Sequence, residues 1–183
     1  DFIPLVAVAG VIVILASHKK KTRNIGEIIA GLGFIFIGMS MMSSAMEPFA
    51  DSPQIQSVMS TLSNPIIGIL AGAALVAIIQ SSSAGIGILQ AMAIAAAGTH
   101  MMTLDMAVFV LYGMNIGTCI TAILSSIGTN RMAIRTALMH LTFNVLGALI
   151  MTAVTIGLPF TDWIEKLSPG DVPRQIANAH LIF

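Results

Sequence analysis

Four hydrophilic residues, Gln80-Ser81-Ser82-Ser83, interrupt a long apolar stretch near the middle of the chain. We call these four residues the serine motif. Only 9% of the 183 residues are charged, whereas soluble domains average about 25%. So few charges could not cover the surface of a soluble fold, and the lipid bilayer is therefore the expected solvent. Unwound backbone at membrane depth is tolerated only where it is buried in protein or lines a wet cavity.

The segments on either side of the serine motif are too short to cross a membrane alone. Asn64-Pro65 indicates a helix start, with Asn as N-cap and Pro at the first helical position. The apolar runs 66–79 and 85–97 would each be about 20 Å long as helices, against a hydrocarbon core of about 30 Å. A single straight helix over both would be about 50 Å long. We therefore predict a re-entrant helical hairpin over residues 65–98, with its turn at the serines.

The other apolar runs predict membrane-spanning helices and one discontinuous helix. Residues 2–16, 25–46 and 133–158 are apolar, although the first is short for a span. The run 104–127 is long enough to cross but is interrupted at Gly113-Met114-Asn115-Ile116-Gly117-Thr118. Amphipathic segments over 54–62 and 160–167 are expected to lie in the membrane interface. The predicted fold is an all-α integral membrane domain over residues 1–183.

The basic residues favour the hairpin over an ordinary span. Six of the eight Lys and Arg residues fall in two clusters, which are Lys19, Lys20, Lys21 and Arg23, and then Arg131 and Arg135. With a hairpin over 65–98, both clusters lie on the same side of the membrane, as the positive-inside rule requires. With an ordinary span there, the two clusters would lie on opposite sides.

The two interruptions predict an ion site in the protein interior. The start of a helix over 84–98 would present free N–H groups and a positive dipole end at the serines, which suits an anion. The end of a helix over 66–79 would present free carbonyl groups, which suit Na⁺. Asn115 lies in the second interruption, where Thr118 could cap the following half-helix and Thr121 lies one turn further on. Two such breaks could meet and share a ligand.

Other interpretations of these residues stay open at this point. A serine in an apolar helix can bond back to its own backbone and do nothing more, and Asn115 between two glycines can mark a packing kink. An enzyme is not expected, because no nucleophile–base pair or group of metal ligands is evident. The net charge of zero gives no indication of a nucleic-acid partner.

Three stretches of the sequence resemble the sodium/phosphate cotransporter type II family, specifically its bacterial branch. They are QSSSAGIGILQA over 80–91, GMNIGTCITAIL over 113–124 and RTALMHLTFNVLGAL over 135–149. The resemblance implies a multi-pass protein of the plasma or inner membrane that carries inorganic phosphate together with Na⁺ as coupling ion, without other cofactors. The family has two inverted repeats, each with a QSSS hairpin, and a single QSSS occurs in this sequence. The chain is therefore expected to be the second repeat with its flanks, and the first repeat is expected as a partner.

The resemblance also implies roles for individual residues. The expected phosphate-binding residues are Gln80, Ser81, Ser82, Ser83, Asn115 and Thr118. The expected sodium-binding residues are Gln80, Ser82, Ser83 and Thr121. A channel or an exporter for another small anion, and a structural membrane subunit, are the alternatives to sodium-coupled transport.

Overall fold

The computed structural model describes residues 3–46, 48, 57, 60–96 and 102–183. These residues form α-helices and no β-strand, in agreement with the all-α prediction. In chain order the helices are α1 (Ile3–Ala16), α2 (Lys20–Met46), α3 (Pro65–Ile79), α4 (Ser82–Ala95), α5 (Leu104–Gly117), α6 (Cys119–Ser126), α7 (Arg131–Gly157), α8 (Phe160–Leu167) and α9 (Val172–Ile182). The amphipathic segment predicted over 54–62 lies mostly outside the described residues.

Three of the described stretches are long and apolar enough to cross a membrane. They are Lys20–Ala45, Leu104–Ser126 and Arg131–Gly157. The helices α3 and α4 are apolar as well, but their 15 and 14 residues correspond to only about 20 Å. The described residues therefore contain helices of spanning length and a pair of half-length helices, and the path of that pair through the bilayer stays a prediction.

The chain divides into two compact units, 1–45 and 46–183. In the first unit, α1 and α2 pack as an antiparallel pair through small residues. Gly10 lies against Ala30, and Gly33 lies against Ala7, so closely that a Cβ added to either glycine would overlap the facing alanine. Close backbone approach of this kind is typical of helix pairs in membranes, where small residues form the interface.

The second unit is built around α5. Every residue from Met106 to Met114 is buried. The hydroxyl of Tyr112 lies 2.8 Å from Oγ1 of Thr155 on α7, and the ring of Phe183 after α9 stacks on the Tyr112 ring with centroids 5.1 Å apart. Helix α5 is thus the interior helix against which α3, α7 and α9 pack.

Helices α3 and α5 approach each other unusually closely. A Cβ added at Gly72 would overlap the carbonyl oxygen of Val110, and one added at Gly113 would overlap the carbonyl oxygen of Ile69. Gly117 in turn lies against the carbonyl of Ala73. Gly68, near the start of α3, lies against Phe109, whereas Val76, near its end, lies against Gly117. The two helices therefore run in the same direction. Glycine is required where two backbones meet in this way.

Helix α7 is mostly exposed, whereas helix α8 has one buried and one exposed face. Most side chains of α7 are exposed, among them Phe143, Leu149 and Ile150, as expected for a helix that faces lipid or another protein. The amphipathic helix predicted over 160–167 is confirmed as α8. It buries Phe160 and Ile164 and exposes Trp163.

Candidate functional site

Helix α3 is capped at its start by Asn64 and ends at Gln80, which has a left-handed backbone conformation. Oδ1 of Asn64 accepts the N–H groups of Ile66 and Ile67 at 3.0 and 3.4 Å, as the Asn64-Pro65 pattern predicted. The helix ends at Gln80, whose φ and ψ of 58° and 26° are left-handed and whose N–H donates to the Val76 carbonyl at 2.7 Å. Among the described residues, Gln80 is the one non-glycine residue with positive φ. This conformation costs about 1 kcal/mol and lets the chain turn sharply.

The turn is tighter than the sequence predicted. Ser81 has extended backbone angles, and its Oγ accepts the N–H of Ala84 at 3.2 Å. Because Ser81 is a good N-cap, α4 begins directly after it at Ser82. The prediction of a helix over 84–98 was wrong at its start: Ser82 and Ser83 belong to the first turn of α4.

The chain folds back on itself at the serine motif. A Cβ added at Gly85 would lie 3.0 Å from Cγ2 of Val76. In a continuous helix these two positions would be separated by about 13 Å along the axis. Helices α3 and α4 therefore form a hairpin whose tip is residues 80–81. The sequence alone did not indicate that Gly85 and Val76 lie against each other.

The second interruption also differs from its prediction. Helix α5 continues through Gly113 and Asn115 and ends at Gly117, and Nδ2 of Asn115 donates within the helix to the Leu111 carbonyl at 3.1 Å. The interruption is limited to Thr118, which keeps helical backbone angles and whose N–H donates to the Met114 carbonyl at 3.1 Å. The prediction that Thr118 caps the next half-helix was wrong, since its Oγ1 donates to the Asn115 carbonyl at 2.6 Å and makes no cap bond.

The two interruptions lie next to each other in the fold. Gly117 packs against Ala73 and Val76 near the end of α3, and the Met114 sulfur lies near Gly85 at the start of α4. The end of α3, the start of α4 and the α5–α6 junction therefore come together. No hydrogen bond in the described part of the chain joins the serine motif to Asn115, Thr118 or Thr121. The Thr121 hydroxyl, which is exposed, donates to the Thr118 carbonyl at 3.0 Å.

Several polar groups at the hairpin tip and in the first turn of α4 have no hydrogen-bond partner among the described residues. Within the residues that the structure describes, no hydrogen bond involves the side chains of Gln80, Ser82 or Ser83. Gln80 and Ser83 are exposed. The backbone N–H groups of the first turn of α4 point out of its N-terminus, and the last carbonyl groups of α3 point out of its C-terminus.

Helices α3 and α4 bring dipoles and no charged side chains to the tip. Residues 65–96 contain no Asp, Glu, Lys, Arg or His. The N-terminus of α4 attracts an anion and the C-terminus of α3 attracts a cation. Hydroxyl and amide side chains can serve either ion as donors or acceptors. The arrangement suits a small anion and a small cation held side by side.

Comparison with known proteins identifies relatives over most of the chain. The sequence profile of a family described as Na⁺/Pi-cotransporter matches residues 1–44 and 37–166. The Uncharacterized protein YqeW of Bacillus subtilis (strain 168) is 34% identical over 185 residues, which cover 100% of this chain and 58% of the relative. The chain thus spans little more than half the length of this relative. No solved structure matches the chain.

Two further relatives have names that refer to phosphate. The Putative inorganic phosphate export protein YjbB of Escherichia coli (strain K12) is 29% identical over 163 residues, which cover 89% of this chain and 28% of the relative. The Sodium-dependent phosphate transport protein 2B of Homo sapiens is 29% identical over 156 residues, which cover 79% of this chain and 22% of the relative.

Proposed function

Because the chain belongs to the Na⁺/Pi-cotransporter family, we propose that it forms part of a sodium-coupled carrier of inorganic phosphate in the cell membrane. The observation that carries the proposal is the hairpin tip. Helix α3 ends there and helix α4 begins there, both with unpaired polar groups, and the α5–α6 junction lies beside them. Broken helices whose ends meet are the usual binding sites of secondary transporters.

Phosphate is assigned to the N-terminal side of the tip. Its oxygens would accept the free N–H groups of the first turn of α4 and the hydroxyl protons of Ser82 and Ser83. The Ser81 Oγ accepts the N–H of Ala84, and its hydroxyl proton could still donate to phosphate. Asn115 and Thr118 would complete the site from the α5–α6 junction, although their side chains are bonded within their own helix in this structure.

Sodium is assigned to the C-terminal end of α3, beside the phosphate. Oxygen ligands for Na⁺ would come from the last carbonyl groups of α3, the amide of Gln80 and the hydroxyls of Ser82 and Ser83. Thr121 joins this set only if its hydroxyl turns away from the Thr118 carbonyl, to which it now donates. A bound Na⁺ would favour the adjacent phosphate by direct attraction, which is the basis of coupling in this proposal.

A second structural repeat would cover the open side of the site. Gln80 and Ser83 are exposed in this chain, whereas a transported ion has to be enclosed at one stage of the cycle. A first repeat of inverted topology, in the same polypeptide or in another protomer, would enclose it. Rocking of one repeat against the other would then alternate access to the site across the multi-pass domain.

Sodium dependence tests this proposal. Radiolabelled phosphate uptake into proteoliposomes that contain the full-length protein should be saturable and should fall to near the level of protein-free liposomes when external Na⁺ is replaced by choline. Flux that does not saturate, or that is equal in both salts, would instead support a pore or a sodium-independent carrier.

Export is a second candidate, because the Escherichia coli relative is named as a putative inorganic phosphate export protein. The direction of net flux separates the two. Proteoliposomes with equal phosphate concentrations inside and outside and an inward Na⁺ gradient should accumulate phosphate if the protein is a sodium symporter, and should lose phosphate if it is a sodium-driven exporter.

A further inference from the structure

An apolar cavity of about 200 Å³ lies between α3, α4 and α5. Every residue that lines it is alanine, valine, leucine, isoleucine or methionine, so none of these side chains offers an oxygen or nitrogen to water or to an ion. None of the residues assigned above to phosphate or sodium lines it. Apolar cavities of about 150 Å³ stay dry and take up small apolar molecules. This cavity therefore suits an apolar occupant.

The cavity extends along the helices. Leu62 and Met102 line it just before the starts of α3 and α5, whereas Leu75 and Met114 line it in the second halves of these helices. Because α3 and α5 run in the same direction, the two pairs mark opposite ends of the cavity. The distance from Met106 to Met114 alone is about 12 Å along the axis of α5. Such a shape fits a linear hydrocarbon chain.

The cavity borders a stretch that is long and apolar enough to cross a membrane. Met106, Val110 and Met114 line the cavity and belong to Leu104–Ser126. Hydrocarbon is the expected solvent beside such a helix, and residues 65–96, which contribute α3 and α4, carry no charged side chain. The acyl chains of lipids are therefore the apolar molecules that surround this part of the fold.

Helix α4 is held by contacts that leave the cavity between it and the other two helices. At the hairpin tip, a Cβ added at Gly85 would lie 3.0 Å from Cγ2 of Val76 and 3.4 Å from the Met114 sulfur. Further along α4, Nε2 of Gln90 donates to the Pro173 carbonyl of α9 at 3.0 Å, and α9 packs against α4. Since protein interiors are close-packed, a space that these contacts keep open needs an occupant.

We propose that this cavity binds one acyl chain of a membrane lipid, which lies as a wedge between α4 and the pair formed by α3 and α5. The chain supplies the dispersion contacts that the lining side chains otherwise lack. Met92, Met102, Met106 and Met114 suit such a lining, because the flexible thioether adapts to an irregular occupant. The proposal concerns this cavity and does not depend on phosphate transport.

Photolabelling with a phospholipid whose acyl chain carries a diazirine tests the site. The full-length protein is reconstituted with this lipid and irradiated, and the labelled residues are identified by mass spectrometry. Met92 on α4 and the buried Met106 on α5 line the cavity from two sides, so label on both reports a chain between the helices. Phe143 on α7 is exposed and reports the surrounding lipid. We expect label at all three residues.

Two alanines on α3 provide a matched pair of variants. Ala71 lines the cavity, whereas Ala74 is exposed on the same helix. Ala71→Phe should fill the cavity and remove most of the label from Met92 and Met106, while the label on Phe143 stays. Ala74→Phe should leave all three labels unchanged. Because a large side chain can overpack an interior, Ala71→Leu is a milder second variant, for which a smaller loss is expected.

Melting temperatures show which variants are folded. The proposal is overturned if Phe143 is labelled in the unmodified protein but Met92 and Met106 are not. It is also overturned if the label on both methionines persists in a folded Ala71 variant, or if it falls equally in Ala74→Phe.

Discussion

Replacing Ser82 and Ser83 together by alanine should lower sodium-driven phosphate uptake by at least about tenfold in kcat/KM. The two hydroxyls are unpaired in the described structure and lie in the first turn of α4. A hydrogen bond to a charged group contributes about 1.5–3 kcal/mol, and about 1.4 kcal/mol corresponds to a tenfold change. Loss of even one such bond to phosphate would therefore produce the effect. The measurement is initial uptake rate as a function of phosphate concentration in proteoliposomes.

The matched control removes two hydroxyls that are already bonded within their own helices. The Ser43 hydroxyl donates to the Met39 carbonyl at 3.0 Å, and the Thr136 hydroxyl donates to the Met132 carbonyl at 3.0 Å. Ser43→Ala with Thr136→Ala should leave uptake nearly unchanged. Uptake by the Ser82, Ser83 variant at the level of the unmodified protein would support the alternative that the serine motif only packs helices.

Gly113→Ala should destabilise the protein by about 3 kcal/mol, at the upper end of what overpacking usually costs. The added methyl group would overlap the carbonyl oxygen of Ile69, and backbone atoms on both helices cannot move aside as a side chain can. The separation of α3 and α5 would have to increase, which would also displace the hairpin tip from the α5–α6 junction. The expected result is a clearly lower melting temperature in detergent together with reduced phosphate uptake.

Gly38→Ala is the matched control for this substitution. Gly38 lies inside α2, an apolar helix as well, and nothing lies within 4 Å of a Cβ added there. Because alanine is a better helix former than glycine by about 1 kcal/mol, this variant should melt at the same temperature or higher. Equal melting temperatures for the two variants would show that the close approach of α3 and α5 is not rigid.

Much of the fold could be predicted from the sequence because local signals mark the helix ends. Asn64-Pro65 marks the start of α3, and the amphipathic spacing around Trp163 marks α8. The direction in which α3 and α5 pack could not be predicted. It depends on Gly72 and Gly113, which meet the backbones of residues about 40 positions away in the chain, and no short-range pattern records such a pairing.

The local geometry around the candidate site differs from its prediction, and the binding roles of its residues stay a prediction. The serine motif does lie at a helix break, but Gln80 and Ser81 alone form the turn, because Ser81 caps α4 so early. The glycines around Asn115 suggested a break, whereas they serve close packing and the helix stays intact until Gly117.

Equilibrium binding of phosphate tests the central claim most directly, since it concerns the hairpin tip and not the transport cycle. Radiolabelled phosphate should bind to the purified full-length protein in NaCl, and binding should be lost in choline chloride and in the Ser82→Ala, Ser83→Ala variant. Phosphate binding of equal affinity in both salts, or unchanged by the two substitutions, would contradict a joint phosphate and sodium site at the serine motif.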